Sequence, residues 1–395
     1  MSGFFRRFLR EDARALNVPA GRHIFFAAFG KHPGWDDHIP DLGLETDSLL
    51  TAKTLLYVDG IGGQINAGAW EKLEPAQRLD AFDHWWLWAR ADQFILGRLW
   101  SSVDGKGRTL FPMVVCAHCL GCSLPWGLAH VLPKLEEVRA RVITTQAASD
   151  VTAILEEARA DLRSQAAQLD GAEASVKGAD HGRFLDAPDW NSDHEGLLRI
   201  LHKIRSELRA YAVGARFVDA ETTLMPPTKS AGARQPGLRP QSIRVPAGGD
   251  SVAEVFLQWR DFFRTQVDPG APILFTLPQT LKWVDALIGK PTSQELFALR
   301  ASLNVLPLAS AVPYTLDEKF RESAKQFILH YRDRPAVESS SSGKLLRVGL
   351  TFLSLLLLLA LFAAFLRYAP EQNIPSFLQT PARLIGNPEV PASSR

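Results

Sequence analysis

Cysteine is scarce: Cys116, Cys119 and Cys122 are the three in the chain. They are odd in number and crowded together, which excludes a secreted disulfide framework and favours a reducing compartment. An excess of charge of one sign is also missing, with 44 Lys and Arg against 43 Asp and Glu. No overall field draws the chain to nucleic acid. The N-terminus, MSGFFRRFLRED, has no apolar core of signal-peptide length and no small-residue cleavage site, so no secretion signal is read there. There is no Gly-x-Ser-x-Gly elbow, no phosphate loop ending in Gly-Lys-Ser/Thr and no dinucleotide fingerprint behind a strand. No cofactor is expected. The glycine-rich stretch 60–68, GIGGQINAG, lacks the lysine that phosphate cradling needs and reads as a flexible connection between helices.

One apolar run stands out. Residues 348–366, VGLTFLSLLLLLALFAAFL, carry no charge and are bracketed by Arg347 and Arg367. As a helix this run spans roughly 30 Å, the thickness of a bilayer core. The expectation is a C-terminal transmembrane helix, held off the body by a Ser-rich linker at 335–347 and followed by a short tail at 367–395. Arg332, Arg334, Lys344 and Arg347 precede it, whereas only Arg367 follows closely. The positive-inside rule then gives a single-pass membrane protein with its N-terminal body in the cytoplasm. Residues 1–20 form an amphipathic segment, with Phe4, Phe5, Phe8 and Leu9 on one helical face beside Arg6, Arg7 and Arg10. It suits a first helix stapled to the core or a helix lying on a membrane surface.

Residues 21–334 read as an α/β domain. HIFFAAFG at 23–30 is a buried strand emptying into a loop, and DSLLTAKTLLYVDGIGG from 47 has helical spacing. PAQRLDAFDHWWLWARA, with Trp85, Trp86 and Trp88, is expected to be a second helix. DQFILGRLWSS and TLFPMVVCAHC flank VDGKGR, which predicts a hairpin turning near 104–107. Helical, charged patterns follow at 133–169 and again at 192–213, the latter opened by a Ser-Asp-His-Glu capping box. A Pro, Gly and basic stretch at 225–250 predicts a mobile loop. Beyond it a helix at 251–267, a strand at 272–277, a helix at 279–289 and a last strand and helix within 302–331 complete a mixed, partly antiparallel sheet with flanking helices.

The chemistry-bearing stretch is HPGWDDH at 32–38. As a metal site, His32, Asp37 and His38 offer nitrogen and carboxylate donors, and a metal-dependent hydrolase would add Asp36. Adjacent Asp36 and Asp37 aim poorly at one ion, whereas Pro33 and Gly34 supply a bend and the carboxylates accept backbone N–H bonds. A structural or recognition loop is therefore preferred. CAHCLGC at 116–122 has the spacing that opens an iron–sulfur run but lacks the fourth cysteine. Cys116 and His118 also fall on one strand face and Cys119 on the other. Buried structural thiols are expected, and no metal is assigned.

FGKHPGWDDH at 29–38 and SSVDGKGRTLFPM at 101–113 together resemble the two signature stretches of the TagF family, associated with bacterial type VI secretion. Gly30, Lys31, Pro33 and Asp37 match the first; Ser102, Asp104, Gly107, Arg108, Phe111 and Pro112 match the second. The Trp-rich segment between them and TLPQTLKWVDALIG near 276–289 are similar to further family elements. The resemblance covers roughly 22–290. It implies an α/β fold like longin and profilin domains and a non-enzymatic, post-translational regulator acting through protein–protein contacts, and it makes the membrane of the expected single pass the bacterial inner membrane. A forkhead-associated scaffold or another type VI component is the partner it implies. On that basis Gly30, Lys31, Pro33, Trp35, Asp36, Asp37, Ser102, Asp104, Gly107, Arg108 and Pro112 are the partner-binding or loop-defining residues. Asp37 and Arg108 are expected to pair, or else both to face a partner. The alternatives are the hydrolase and a structural subunit of a membrane complex.

Overall fold

A computed structural model describes residues 22–90, 93–168, 181–190, 192–212 and 239–334. The chain divides into two units, Met1–Val337 and Glu338–Arg395, and every described residue belongs to the first.

Among the described residues eight strands make one sheet: β1 (His23–Lys31), β2 (His38–Leu42), β3 (Asp83–Ala89), β4 (Gln93–Ser101), β5 (Pro112–Leu120), β6 (Gln241–Pro246), β7 (Ile273–Pro278) and β8 (Trp283–Ile288). Their order is β2-β1-β5-β4-β3-β7-β8-β6. Every neighbouring pair runs antiparallel, which corrects the expected mixed sheet. The physical reason is connectivity: β1–β2, β3–β4, β4–β5 and β7–β8 are consecutive strands lying side by side, and such hairpins need no crossover helix.

Helices cover both faces. A continuous helical run consists of α1 (Asp47–Ala52), a π-helical stretch (Lys53–Ile61) and α2 (Gly62–Asn66). Further along lie α3 (Leu124–Val142), α4 (Ala148–Ala167), α5 (His181–Leu185), α6 (Glu195–Glu207), α7 (Val252–Gln266) and α8 (Glu318–Arg332). Phe26, Trp85, Leu87, Leu96 and Val115 on one face pack with Trp126 of α3, Leu155 of α4, Leu201 of α6 and Trp259 of α7. On the other face Phe29, Trp86, Trp88, Leu99 and Val114 pack with Leu49, Tyr57 and Ile61.

This double coverage explains two misread elements. Residues 83–89 and 283–288 are strands, not the helices expected at PAQRLDAFDHWWLWARA and 279–289. A strand buried on both faces is apolar almost throughout, so its aromatic spacing imitates a helix. Other expectations are corrected too. Residues 60–66 of the supposed flexible connection are helical. The cap of α6 is His194, whose side chain makes no capping bond. Residues 241–246 of the supposed mobile loop form the edge strand β6, while 225–238 lie outside the described residues. Within 302–331 only the helix α8 occurs among the described residues, without the expected strand.

The transmembrane expectation, and with it the single-pass inner-membrane placement, is also corrected: no helix among the described residues is long and apolar enough to cross a membrane. The apolar run 348–366, its linker, its tail and the amphipathic segment 1–20 lie outside the described residues.

Candidate functional site

Strand pairing brings the two motif stretches together. β1 lies beside β5, with Gly30 opposite Met113, so the loop leaving β1 at residue 32 and the loop entering β5 from residue 102 emerge at the same end of the sheet. The β1–β2 register shifts between Ala28 and Gly30, a bulge that bends the strand end. Gly30 has φ of 113°, and a Cβ there would lie 2.3 Å from the Pro112 carbonyl oxygen. Only glycine permits that approach.

Lys31, 3% exposed, is the hub. Its Nζ donates to Asp37 Oδ1 at 2.7 Å and to Asp104 Oδ2 at 2.8 Å. The Asp104 side chain is fully covered and accepts from four directions. Oδ1 takes the backbone N–H groups of Lys106 and Arg108, each at 3.0 Å, while Oδ2 takes Lys31 and Arg108 Nε, the latter at 2.7 Å. Gly107, with φ of 79°, closes this turn by donating to the Asp104 carbonyl at 2.9 Å. Arg108 Nη2 then reaches across to the Asp36 carbonyl at 2.8 Å and to Asp37 Oδ1 at 3.1 Å. Gly105 N donates to the Trp35 carbonyl at 2.7 Å, so the loops are also joined through backbone.

Charge follows geometry. The hydrogen bond from Lys31 is the main cause that brings the Asp37 carboxyl down to about 2, with the charges of Lys31 and Arg108 adding to it. Burial would raise the Asp104 carboxyl, but the bonds from Lys31, Arg108 and the two amides outweigh it and hold the group far below the usual carboxylate range. Asp104 raises Arg108 further. Two cations and two anions thus balance, with Asp104 and Lys31 covered and Asp37 and Arg108 at the surface, 67% and 50% exposed.

The rest of the first loop is anchored to opposite faces. His32 Nδ1 accepts from Gly34 N at 3.0 Å, which leaves the proton on Nε2. Thr145 Oγ1 donates to the Val142 carbonyl at 3.0 Å and therefore accepts from His32 Nε2 at 3.1 Å. Burial lowers the His32 pKa, keeping the ring neutral. Trp35 sits edge-on to His32 at 5.7 Å and packs on the core at that face. His38 bonds Asp37 Oδ1 at 3.1 Å and meets Tyr57 and Phe111 edge-on at 5.8 and 5.2 Å. Tyr57 rises from the π-helical stretch, the kind of irregularity that often adjoins a functional site.

Of the residues expected to shape this surface, Gly30, Lys31, Trp35, Asp36, Asp37, Asp104, Gly107 and Arg108 meet here. Pro33 holds the bend, Pro112 opens β5, and Ser102 lies on the approach to the turn without a bond to the network. Tyr57 and Thr145 were missed; neither carries a local signal, because a helical tyrosine and an interhelical threonine look ordinary until the loops fold over them.

The metal donors do not converge. His32 is turned toward Thr145, His38 toward the aromatic pair, and Lys31 occupies the space between Asp37 and Asp104 that a cation would fill. Among the described residues no group of three or more His, Cys, Asp or Glu side chains is gathered for a metal. Cys116 and Cys119 are buried on opposite faces of β5, and His118 is held by Thr46 and Gln93 at 3.0 and 2.6 Å. Burial raises all three thiols, Cys122 to about 12, so none is a ready thiolate.

No protein-family model and no curated protein matches the chain. Among solved structures, the crystal structure of PA0076 from Pseudomonas aeruginosa PAO1 matches at 19% identity over 38% of this chain, with a TM-score of 0.23. The chain spans 64% of that protein's length.

Proposed function

We propose that the chain is a non-enzymatic regulator or adaptor of the TagF-like kind. It acts post-translationally on type VI secretion, or on a related machine, through protein–protein contacts. One observation carries the reading: the two stretches that bear the family resemblance, some seventy residues apart in sequence, are locked into one surface by Lys31, Asp104, Arg108 and Asp37. The buried half of the network sets the loops, and the exposed half presents a carboxylate and a guanidinium in fixed register. A rigid, charge-balanced surface suits recognition, because a partner meets groups whose ordering cost is already met by folding. The forkhead-associated scaffold that the resemblance implies is the first partner to test.

The test is secretion itself. In the bacterium that carries this chain, deletion is expected to increase release of type VI tube protein into the medium, and Asp37→Ala with Arg108→Ala is expected to reproduce the deletion at normal protein levels. Unchanged release in both strains sinks the reading. The hydrolase alternative is checked on the purified chain, where stoichiometric iron, zinc or manganese would revive it.

A further inference from the structure

Among the described residues five large apolar side chains stand exposed: Leu50, Val58, Leu110, Ile143 and Leu329. Three of them lie on the helical run and the hairpin beside the charged loops. Leu110, two positions after Arg108, is 58% exposed; Val58 is 52% exposed, and Leu50, earlier on the same helical run, 41%. Phe111 joins these segments. Its ring lies 5.4 Å from that of Tyr57 and 5.2 Å from that of His38, the residues next to Val58 and to Asp37 in the chain. The apolar patch and the ion pair of Asp37 with Arg108 are therefore one continuous face, and exposed apolar groups gathered at one place mark a contact surface.

Two polar atoms of the ion pair are left over. Asp37 Oδ1 meets Lys31, His38 and Arg108, while Arg108 is engaged through Nε and Nη2. Among the described residues Asp37 Oδ2 and Arg108 Nη1 have no hydrogen-bond partner. An acceptor and a donor of opposite charge thus stand side by side at the surface. Such a pair is self-complementary, because a two-fold rotation sets each carboxylate against the guanidinium of the other copy. A face of one sign would repel its copy; this one carries both signs, and the whole chain has a net charge of only +1. Extension of the sheet is not the route. The edge strand that borders the patch, β2, has five residues and carries Pro40, which has no N–H to donate. Contact has to come through side chains.

We propose that this face is closed by a second copy of the chain, around a two-fold axis that sets Asp37 of each copy against Arg108 of the other and packs Leu110 and Val58 between them. Resting on the reading above, this makes self-association a regulator of the same surface: the free chain shields the face it offers to its partner, and partner binding displaces the copy. With few apolar anchors the contact belongs to the weak, transient class, so monomer and dimer exchange.

The test is sedimentation equilibrium of the full chain from roughly 1 μM to roughly 200 μM, with hydrogen exchange measured at both ends of that range. A reversible monomer–dimer equilibrium is expected, with the amides at 106–111 and 57–60 slowed in the concentrated sample. Association should weaken at least about tenfold in Leu110→Ser, the loss of one apolar anchor from each copy. Leu329→Ser, an exposed leucine on α8, is the control and should associate as the unaltered chain does. Asp37→Lys and Arg108→Glu are each expected to stay monomeric alone and to pair when mixed, since the mixture restores opposite charges at both contacts. A monomer throughout, equal association in Leu110→Ser, unchanged exchange at 106–111, or no pairing of the two folded charge variants overturns the proposal. If the charge variants do not fold, Leu110→Ser and the exchange decide, because neither disturbs the loop network. A monomeric chain leaves the secretion phenotype standing, and unchanged secretion leaves the dimer standing, so the two failures are told apart.

Discussion

Lys31 shows how one side chain does the work of a metal ion. Its ammonium sits between Asp37 and Asp104 and is covered almost completely, so two carboxylates from distant loops share an internal cation. The consequence is titratable. With Asp37 brought to about 2 from an ordinary 3.8, the unfolded chain takes up this proton before the folded one does as pH falls. The contribution of Asp37 to stability is therefore complete above roughly pH 4 and fades as pH falls through about 2. Carbon-13 NMR of the side-chain carboxyl should give a midpoint near 2; a midpoint at the ordinary value would mean that Lys31 does not hold it in solution. A second buried pair, Arg244 with Asp285, plays a different part. Arg244 Nε and Nη2 meet Asp285 at 2.6 and 2.8 Å, while the Nη groups also take the carbonyls of Ala298 and Ala301, so this pair ties the segment after β8 to the sheet. Nothing in the spacing of either arginine or aspartate announces it.

The hairpin between β4 and β5 is the element on which the surface depends. Asp104 caps its own turn by accepting from the amides of Lys106 and Arg108, and Gly105 carries the turn to Trp35 of the other loop. Replacing the carboxylate should therefore loosen both loops, not one. In Asp104→Ala, hydrogen exchange at Gly105, Lys106 and Arg108 is expected to rise by at least about tenfold, the loss of roughly one hydrogen bond's worth of protection. Exchange across 34–37 should rise with it. If the first loop keeps its protection, the two stretches are neighbours without being coupled. The hairpin, its turn and the strand before the first loop were legible in sequence, because Asp-Gly punctuation and an apolar run ending in glycine act locally. The Trp-rich strand β3 was not, because its pattern depends on having helices over both faces.

At the scale of the whole molecule, the interior carries neutral histidines that acid must charge. Burial, with nearby arginine charge, brings His84 and His118 to about 3 from an ordinary 6.5. The unfolded chain gains these protons as pH falls below 6.5, whereas the folded chain resists them until about 3. Each stabilises the fold fully above 6.5 and loses that effect on acidification through this window, by at most about 1.4 kcal/mol per pH unit per histidine. His32 and His38 are lowered by burial and add in the same sense. Urea unfolding at about pH 7.5 and about pH 5 should show a clear drop in midpoint, partly removed in His118→Gln. A flat profile would place these rings in water.

Locally determined features were readable from the residues alone. These were the bend at Pro33 and Gly34, the turn at 104–107, the strand β1, the helix from 47, the amphipathic helix α7 and the division of Cys116 and Cys119 between strand faces. Each depends on neighbours within a few positions, where steric and hydrogen-bonding preferences act directly. The antiparallel order of the sheet, the strand state of 83–89 and 283–288, and the meeting of Lys31 with Asp104 were decided by the tertiary structure. They rest on which strands lie side by side and on burial from both faces, quantities set by the free energy of packing the chain as a whole.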